Sequence, residues 1–205
     1  MAPTPGTPWE HRAVPRRPPA IVLIGPPAAG KSTLGELVAA RLGVPFVDVD
    51  EVGDRYYAEV GWSVARLVER VGAVGRVAAE REWEPARAHA VRRVVADHPG
   101  AVVALGAGHT AFTDTEHLGT VRAALADVPH VVLVLPSVGR DAALAELRRR
   151  SLASKGTDWV RDGHDLLAGW VDDAGTRSLA TSTFVTGGEP PGASAGRLAA
   201  LVRGR

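Results

Sequence analysis

The chain has 205 residues, enough for one α/β domain and too few for two. Its 24 Lys and Arg nearly balance its 23 Asp and Glu, which excludes the broad basic surface of a nucleic-acid-binding protein. The absence of cysteine excludes disulfides and thiolate nucleophiles, and no apolar run reaches the roughly 18 residues of a membrane span. We therefore expect a cytoplasmic protein that binds neither nucleic acid nor membrane.

Residues 1–19 are rich in Pro and Arg and are predicted to form a disordered tail, because prolines at this density support neither helix nor central strand. Residues 20–205 are predicted to form one domain. The predicted strands are short apolar runs, at 20–24, 45–49, 101–105, 131–135 and 181–186. The predicted helices occupy 31–42, a zone from 51 to 98 broken near Gly61 and Gly72, 116–126, 140–150, 164–173 and 193–202.

Pro85 lies inside the long helical zone and predicts a kink or a restart there. The alternation of five strands with helices predicts an α/β fold of three layers, in which helices cover both faces of a five-stranded parallel sheet. Ligands of such sheets bind beyond the carboxyl ends of the strands.

The clearest motif is Gly25-Pro-Pro-Ala-Ala-Gly30-Lys31-Ser32-Thr33, which follows the first strand and opens the first helix. It satisfies G-x-x-x-x-G-K-[ST] in the context that a P-loop requires. Backbone N–H groups from Ala28 to Thr33 are predicted to bind the phosphates of ATP, Lys31 to reach the β- and γ-phosphates, and Ser32 to bind Mg²⁺. The predicted nucleotide-binding residues of this loop are Gly25, Ala28, Ala29, Gly30, Lys31, Ser32 and Thr33.

Asp48 and Asp50 stand at the end of the second strand, two residues apart, and are expected to face the same side. One carboxylate, Asp48, is predicted to help hold Mg²⁺, and the other, Asp50, to address an acceptor hydroxyl. The alternative is a pair of solvated acids or caps for the following helix.

Gly106-Ala107-Gly108 ends the third strand, where small residues let a substrate approach the backbone; a simple turn is the alternative. His109 and Thr110 follow and could reach the same space, or could be surface residues. Residues 151–163 are polar and contain two glycines, which is typical of a lid over ATP.

Two arginines of this region are assigned to the site. Arg161 is predicted to be the lid's catalytic cation, and Arg149 to bind the nucleotide unless it is only part of a charged helix end.

The segment from Ile21 to Asp50 resembles the opening of a shikimate kinase. Asp48 and Asp50 match that family's D-x-D, Leu105–Gly108 is similar to its G-G-G turn, Arg161 is placed like its lid arginine, and Val185–Gly188 resembles its adenine-bordering loop. The resemblance implies Mg²⁺-dependent transfer of the γ-phosphate of ATP to a ring hydroxyl of a small-molecule substrate, with Asp50 orienting the hydroxyl and with catalysis by Lys31, Asp50 and Arg161. Gly106, Ala107 and Gly108 would border this substrate, and the protein would be a monomer or weak homo-oligomer.

The resemblance weakens where the family binds the substrate carboxylate. Of its two arginines, the first lies in a G-E-x-x-F-R-x-x-E stretch, which the run Gly72–Glu80 matches with Val77 at the arginine position, and the second falls on Asp173. The acceptor can therefore be shikimate or a related polyol or cyclitol. The competing hypotheses are a P-loop ATP-binding protein without kinase activity and a nucleotide or nucleoside kinase.

Overall fold

The computed structural model describes residues 18–204, so the predicted tail lies almost entirely outside the described residues. The strands are β1 (Ile21–Ile24), β2 (Phe46–Asp48), β3 (Val102–Ala104), β4 (Val131–Leu135), β5 (Val160–Arg161), β6 (His164–Asp165) and β7 (Ser182–Val185). The helices are α1 (Lys31–Leu42), α2 (Val49–Ala58), α3 (Val64–Val74), α4 (Arg76–Asp97), α5 (Thr115–Leu125), α6 (Arg140–Lys155), α7 (Leu166–Asp172), α8 (Ala174–Leu179) and α9 (Pro191–Arg203). A 3₁₀ turn spans Ala107–His109.

The five longer strands form one parallel sheet in the order β2-β3-β1-β4-β7, which confirms the predicted five-stranded sheet. β1, β3 and β4 are buried along their whole length, as expected for strands covered on both faces. One core cluster lies under α2, α4 and α5, and a second lies under α1, α6, α7 and α9. Because these five strands are parallel, their carboxyl ends all lie at one edge of the sheet.

The long helical zone divides differently from the sequence prediction. α4 runs unbroken through Pro85 for 22 residues, and the restart lies at Gly75, whose φ of 83° few other residues adopt. Pro85 removes the hydrogen bond to the carbonyl of Arg81, which lies on the exposed face of the helix. Burial of Ala86, Val91 and their neighbours holds the opposite face against the core, so the predicted restart at Pro85 is wrong.

The predicted lid also begins later than expected. α6 continues to Lys155 and ends at Gly156 in the left-handed conformation, so residues 151–155 are helical. Ser151 is fully buried, and its hydroxyl accepts a hydrogen bond from the Trp159 indole at 2.8 Å, which anchors the next loop to this last part of the helix. The remaining segment folds into the antiparallel hairpin β5–β6.

Within residues 18–204, no helix combines the length and the apolarity that crossing a membrane would require.

Candidate active site

The phosphate-binding loop is shaped by three residues with positive φ. Gly25 has a φ of 130°, and a Cβ there would lie 2.7 Å from the carbonyl oxygen of Val134. Gly30 caps α1 in the left-handed conformation, and Ala28 holds a φ of 59° that costs a non-glycine residue about 1–2 kcal/mol. The chain therefore turns sharply from β1 into α1, so that the first N–H groups of the helix face the end of the sheet.

Lys31 lies across this loop. Its ammonium donates hydrogen bonds of 2.9 Å to the carbonyls of Gly25 and Pro26, and the residue is only 9% exposed. Burial lowers the pKa of Lys31 to about 8, while Asp50 and Asp48 act in the opposite direction. The side chain remains a cation at pH 7, fixed where a phosphate would meet it.

A cavity of about 570 Å³ joins the loop to the carboxyl ends of β2 and β3. Most of the predicted site residues border it: Ala28, Ala29, Gly30, Lys31, Ser32, Thr33, Asp48, Asp50, Gly106, Ala107 and Arg149. Gly25, Gly108 and Arg161 are outside this lining. The structure thus brings the phosphate loop and the two carboxylates into one space.

The two carboxylates reach the cavity by a different route from the one predicted. β2 ends at Asp48, which caps α2 by accepting a hydrogen bond from the backbone N–H of Asp50 at 3.0 Å. Asp50 belongs to the first turn of α2, so the argument that both face one side of a strand is wrong. Asp48 is buried and Asp50 is exposed to the cavity.

The residues present suit a magnesium ion. Ser32 and Asp48 offer a hydroxyl and a carboxylate at the same cavity, and Asp48 uses only Oδ1 for the cap. Mg²⁺ binds proteins through one or two such oxygens and fills its other positions with water and phosphate.

The turn after β3 contributes unequally to the site. Gly106 and Ala107 border the cavity, but Gly108 is covered by Arg87, whose guanidinium donates to the Gly108 carbonyl. A Cβ at Gly108 would collide with this guanidinium. The predicted contact of Gly108 with substrate is therefore replaced by a contact with a buried arginine.

The hairpin β5–β6 does not carry Arg161 into the cavity. Arg161 is exposed, and its guanidinium donates to the Val160 carbonyl at 2.7 Å and to the Thr157 hydroxyl at 2.5 Å. These local hydrogen bonds satisfy the guanidinium of Arg161. The structure therefore does not place Arg161 beside the phosphate-binding loop, where the sequence predicted it.

The tip of the hairpin instead contacts the start of α4. Asp162 accepts a hydrogen bond from the backbone N–H of Val77 at 3.2 Å, and a Cβ at Gly75 would lie 2.9 Å from the same carboxylate. Arg149 borders the cavity. Its guanidinium donates two hydrogen bonds, of 2.7 and 2.8 Å, to the carboxylate of Glu146.

Sequence reasoning missed several polar residues around the cavity. Glu189 and Ser194 border it from the loop after β7 and from α9. Arg87 is 3% exposed, and nothing in the local sequence distinguishes it from the other arginines of α4. His109 and Thr110 are buried instead of lying at the surface.

The fold and the phosphate-binding loop define a P-loop protein. The family model of shikimate kinase matches residues 27–149, and the chain belongs to this family. It is 40% identical over 100 residues to a shikimate kinase of Streptomyces coelicolor, covering 49% of this chain and 52% of that one. It is 37% identical over 133 residues to a shikimate kinase of Saccharopolyspora erythraea, covering 65% and 62%. The chain thus spans about half to three fifths of these relatives.

Solved structures agree with the fold over more of the chain. A shikimate kinase from Acinetobacter baumannii in complex with shikimate matches with a TM-score of 0.63 at 21% identity, covering 91% of this chain and 93% of that one. A shikimate kinase from Aquifex aeolicus matches with a TM-score of 0.57 at 20% identity, covering 90% and 96%. At these identities the likeness establishes the architecture.

Proposed function

We propose that this protein transfers the γ-phosphate of ATP to a hydroxyl of a small cyclic polyol, shikimate or a compound similar to it. The observation that carries the proposal is the single cavity shared by the phosphate-binding loop and Asp50. None of the hydrogen bonds within residues 18–204 engages the Asp50 carboxylate, which leaves it available to an acceptor. The protein would act in the cytoplasm, where ATP is available.

Each residue has a defined task in this reaction. The N–H groups of the loop and Lys31 hold the phosphates, and they stabilise charge on the transferring group. Ser32 and Asp48 would hold Mg²⁺, which when bound neutralises charge on the β- and γ-phosphates. Asp50 orients the acceptor hydroxyl and accepts its proton within the short range that general bases require.

An ATP-binding protein without kinase activity is the weaker alternative. Such a protein has no need for a carboxylate that faces the phosphate loop without an internal partner. Asp50 is such a carboxylate, because it borders the same cavity as the phosphate-binding loop. Its presence has no explanation in an ATPase that only switches between two states.

The acceptor half of the site favours a neutral compound over a carboxylic acid. Arg87 is held by the carbonyls of Gly108 and Glu80, and Arg76 is paired with the Glu80 carboxylate. Arg177 donates to the carbonyl of Val171 at 2.7 Å. The Nε–H groups of Arg76 and Arg87 are buried without a hydrogen-bond partner among the described residues, so the neutral preference rests on Val77 and Asp173, which stand where the family carries its two arginines.

A steady-state comparison of acceptors tests both parts of the proposal. ATP consumption and product mass are measured with shikimate, gluconate, neutral cyclitols and nucleosides. We expect phosphorylation of at least one cyclitol, with kcat/KM for shikimate below about 10⁴ M⁻¹ s⁻¹. A higher value for shikimate would contradict the neutral preference and leave the kinase assignment intact; acceptor-independent ATP hydrolysis alone would contradict the kinase assignment.

A further inference from the structure

One buried histidine stands beside the candidate acceptor site without a task in the proposed reaction. His109, the last residue of the 3₁₀ turn, is 2% exposed. Its Nε2 lies 2.6 Å from the hydroxyl of Tyr57, and the two rings stack at 6.0 Å. Its Nδ1 is buried and makes no hydrogen bond to any group of residues 18–204. A buried polar atom without a partner costs about 1–3 kcal/mol, so it calls for an explanation.

The free nitrogen and the Asp50 carboxylate meet at the same glycine. A Cβ built on Gly106 would lie 2.4 Å from Asp50 Oδ1 and 2.9 Å from His109 Nδ1. The backbone of Gly106 has a φ of −62° and a ψ of 154°, which any residue adopts. A glycine is therefore needed here for space and not for backbone conformation, and the space it leaves lies between Asp50 and His109.

The hydrogen bond to Tyr57 selects one tautomer of the imidazole. Burial, and secondarily Arg87, lower the pKa of His109 to about 3, although the Gly106 carbonyl and Asp48 act the other way, so the ring is neutral and carries one proton. Burial raises the pKa of Tyr57, so its hydroxyl keeps its proton.

A Tyr57 hydroxyl that donates to Nε2 leaves the ring proton on Nδ1. The opposite tautomer would bury the hydroxyl proton without an acceptor and would turn a lone pair of Nδ1 towards a carboxylate.

We propose that His109 is a positioning residue whose Nδ1–H donates to the carboxylate of Asp50 and directs its second oxygen towards the acceptor hydroxyl. The bond forms by rotation of the exposed Asp50 side chain over Gly106. The inference rests on the proposed kinase function for its consequence in catalysis, but the tautomer and the proposed hydrogen bond to Asp50 do not depend on turnover. Misplacement of a catalytic group by about 1 Å costs up to about a hundredfold in rate.

Two isosteric substitutions separate this role from a merely structural one. In His109→Asn the amide nitrogen takes the place of Nδ1, whereas in His109→Gln it takes the place of Nε2 and preserves only the contact with Tyr57. We expect His109→Gln to lose about ten- to a hundredfold in kcat with the KM for ATP unchanged, and His109→Asn to stay within about threefold of the unsubstituted protein. Full activity in His109→Gln together with loss in His109→Asn would overturn the proposal.

Nitrogen-15 NMR of the imidazole tests the same arrangement without enzyme turnover. In the unsubstituted protein we expect the proton on Nδ1, and we expect Asp50→Ala to shift the Nδ1 resonance. Glu51→Ala, which removes an exposed neighbouring carboxylate on the same helical turn, serves as the control and should leave it in place. A proton on Nε2, or equal spectra for Asp50→Ala and the unsubstituted protein, would refute the inference; absence of phosphate transfer to every acceptor would refute only the proposed function.

Discussion

Replacement of Lys31 by methionine should stabilise the folded protein while it abolishes phosphate transfer. The fold lowers the pKa of Lys31 from 10.5 to about 8. Burial therefore destabilises the charged ammonium more than the nearby carboxylates of Asp50 and Asp48 stabilise it. At about 1.36 kcal/mol per pKa unit, the charged lysine destabilises the native state by about 3 kcal/mol at pH 7. Methionine matches the lysine side chain as far as Cε and removes the ammonium, at the loss of two hydrogen bonds to the carbonyls of Gly25 and Pro26.

The net gain expected for Lys31→Met is about 0–2 kcal/mol in the free energy of unfolding, because the two lost hydrogen bonds offset about 0.5–1.5 kcal/mol each. For a domain of this size each kcal/mol corresponds to about 2–4 °C in Tm. Urea denaturation at pH 7 measures the gain, and binding of a fluorescent ATP analogue measures the loss of phosphate affinity. The control is Lys155→Met, at the only other lysine of the chain. Because Lys155 is exposed, this substitution should change the free energy of unfolding by less than about 0.5 kcal/mol.

The pH dependence of this gain has a defined sign. Between pH 8 and 10.5 the native protein loses the Lys31 proton and the unfolded chain keeps it, so the stability of the unsubstituted protein rises with pH relative to Lys31→Met. The advantage of the variant should therefore shrink above pH 8 and vanish near pH 10.5. A variant that is less stable at pH 7, or an advantage independent of pH, would refute the claim that burial dominates at Lys31.

Two further predictions concern the acceptor carboxylate and the hairpin. Asp50→Asn should lower kcat by about a hundredfold or more with little change in ATP affinity, because a positioned general base is lost. A near-normal kcat would show that Asp50 has no catalytic role and is only part of the first turn of α2. Residues 156–165 should gain protection from hydrogen exchange when an ATP analogue binds, whereas residues 131–135 of the buried β4 should not change; equal exchange with and without the analogue would show a fixed loop.

The parallel sheet and the phosphate loop could be predicted from the sequence because both depend on local patterns. Four-residue runs such as Ile21–Ile24 are apolar throughout, as strands buried on two faces must be. The loop from Gly25 to Thr33 needs its glycines and lysine at fixed spacing, so the pattern itself carries the geometry. The direction of parallel strands then places Asp48 and Gly106 at one edge without further information.

The acceptor side could not be predicted, because its contacts join residues distant in the sequence. Arg87 meets Gly108 across 21 residues, and Tyr57 meets His109 across 52. The two interpretations of Asp48, a helix cap and a residue of the site, are both true of the structure. One carboxylate oxygen caps α2, and the same side chain borders the cavity. Pro85 misled the prediction because tertiary burial of α4 outweighs the local cost of one lost hydrogen bond.

The contact between Asp162 and the first turn of α4 joins the hairpin to a helix that lies 85 residues away in the sequence. Gly75 has no side chain to cap this helix, so the acceptor for the Val77 N–H comes from the hairpin tip. A cap of this kind is worth about 1 kcal/mol, and withdrawal of the hairpin would remove it. Linkage is reciprocal, so whatever holds the hairpin in place also favours an ordered start of α4, and an ordered start of α4 favours the attached hairpin. The energy of the cap corresponds to about a fivefold change in the equilibrium between an attached and a withdrawn hairpin.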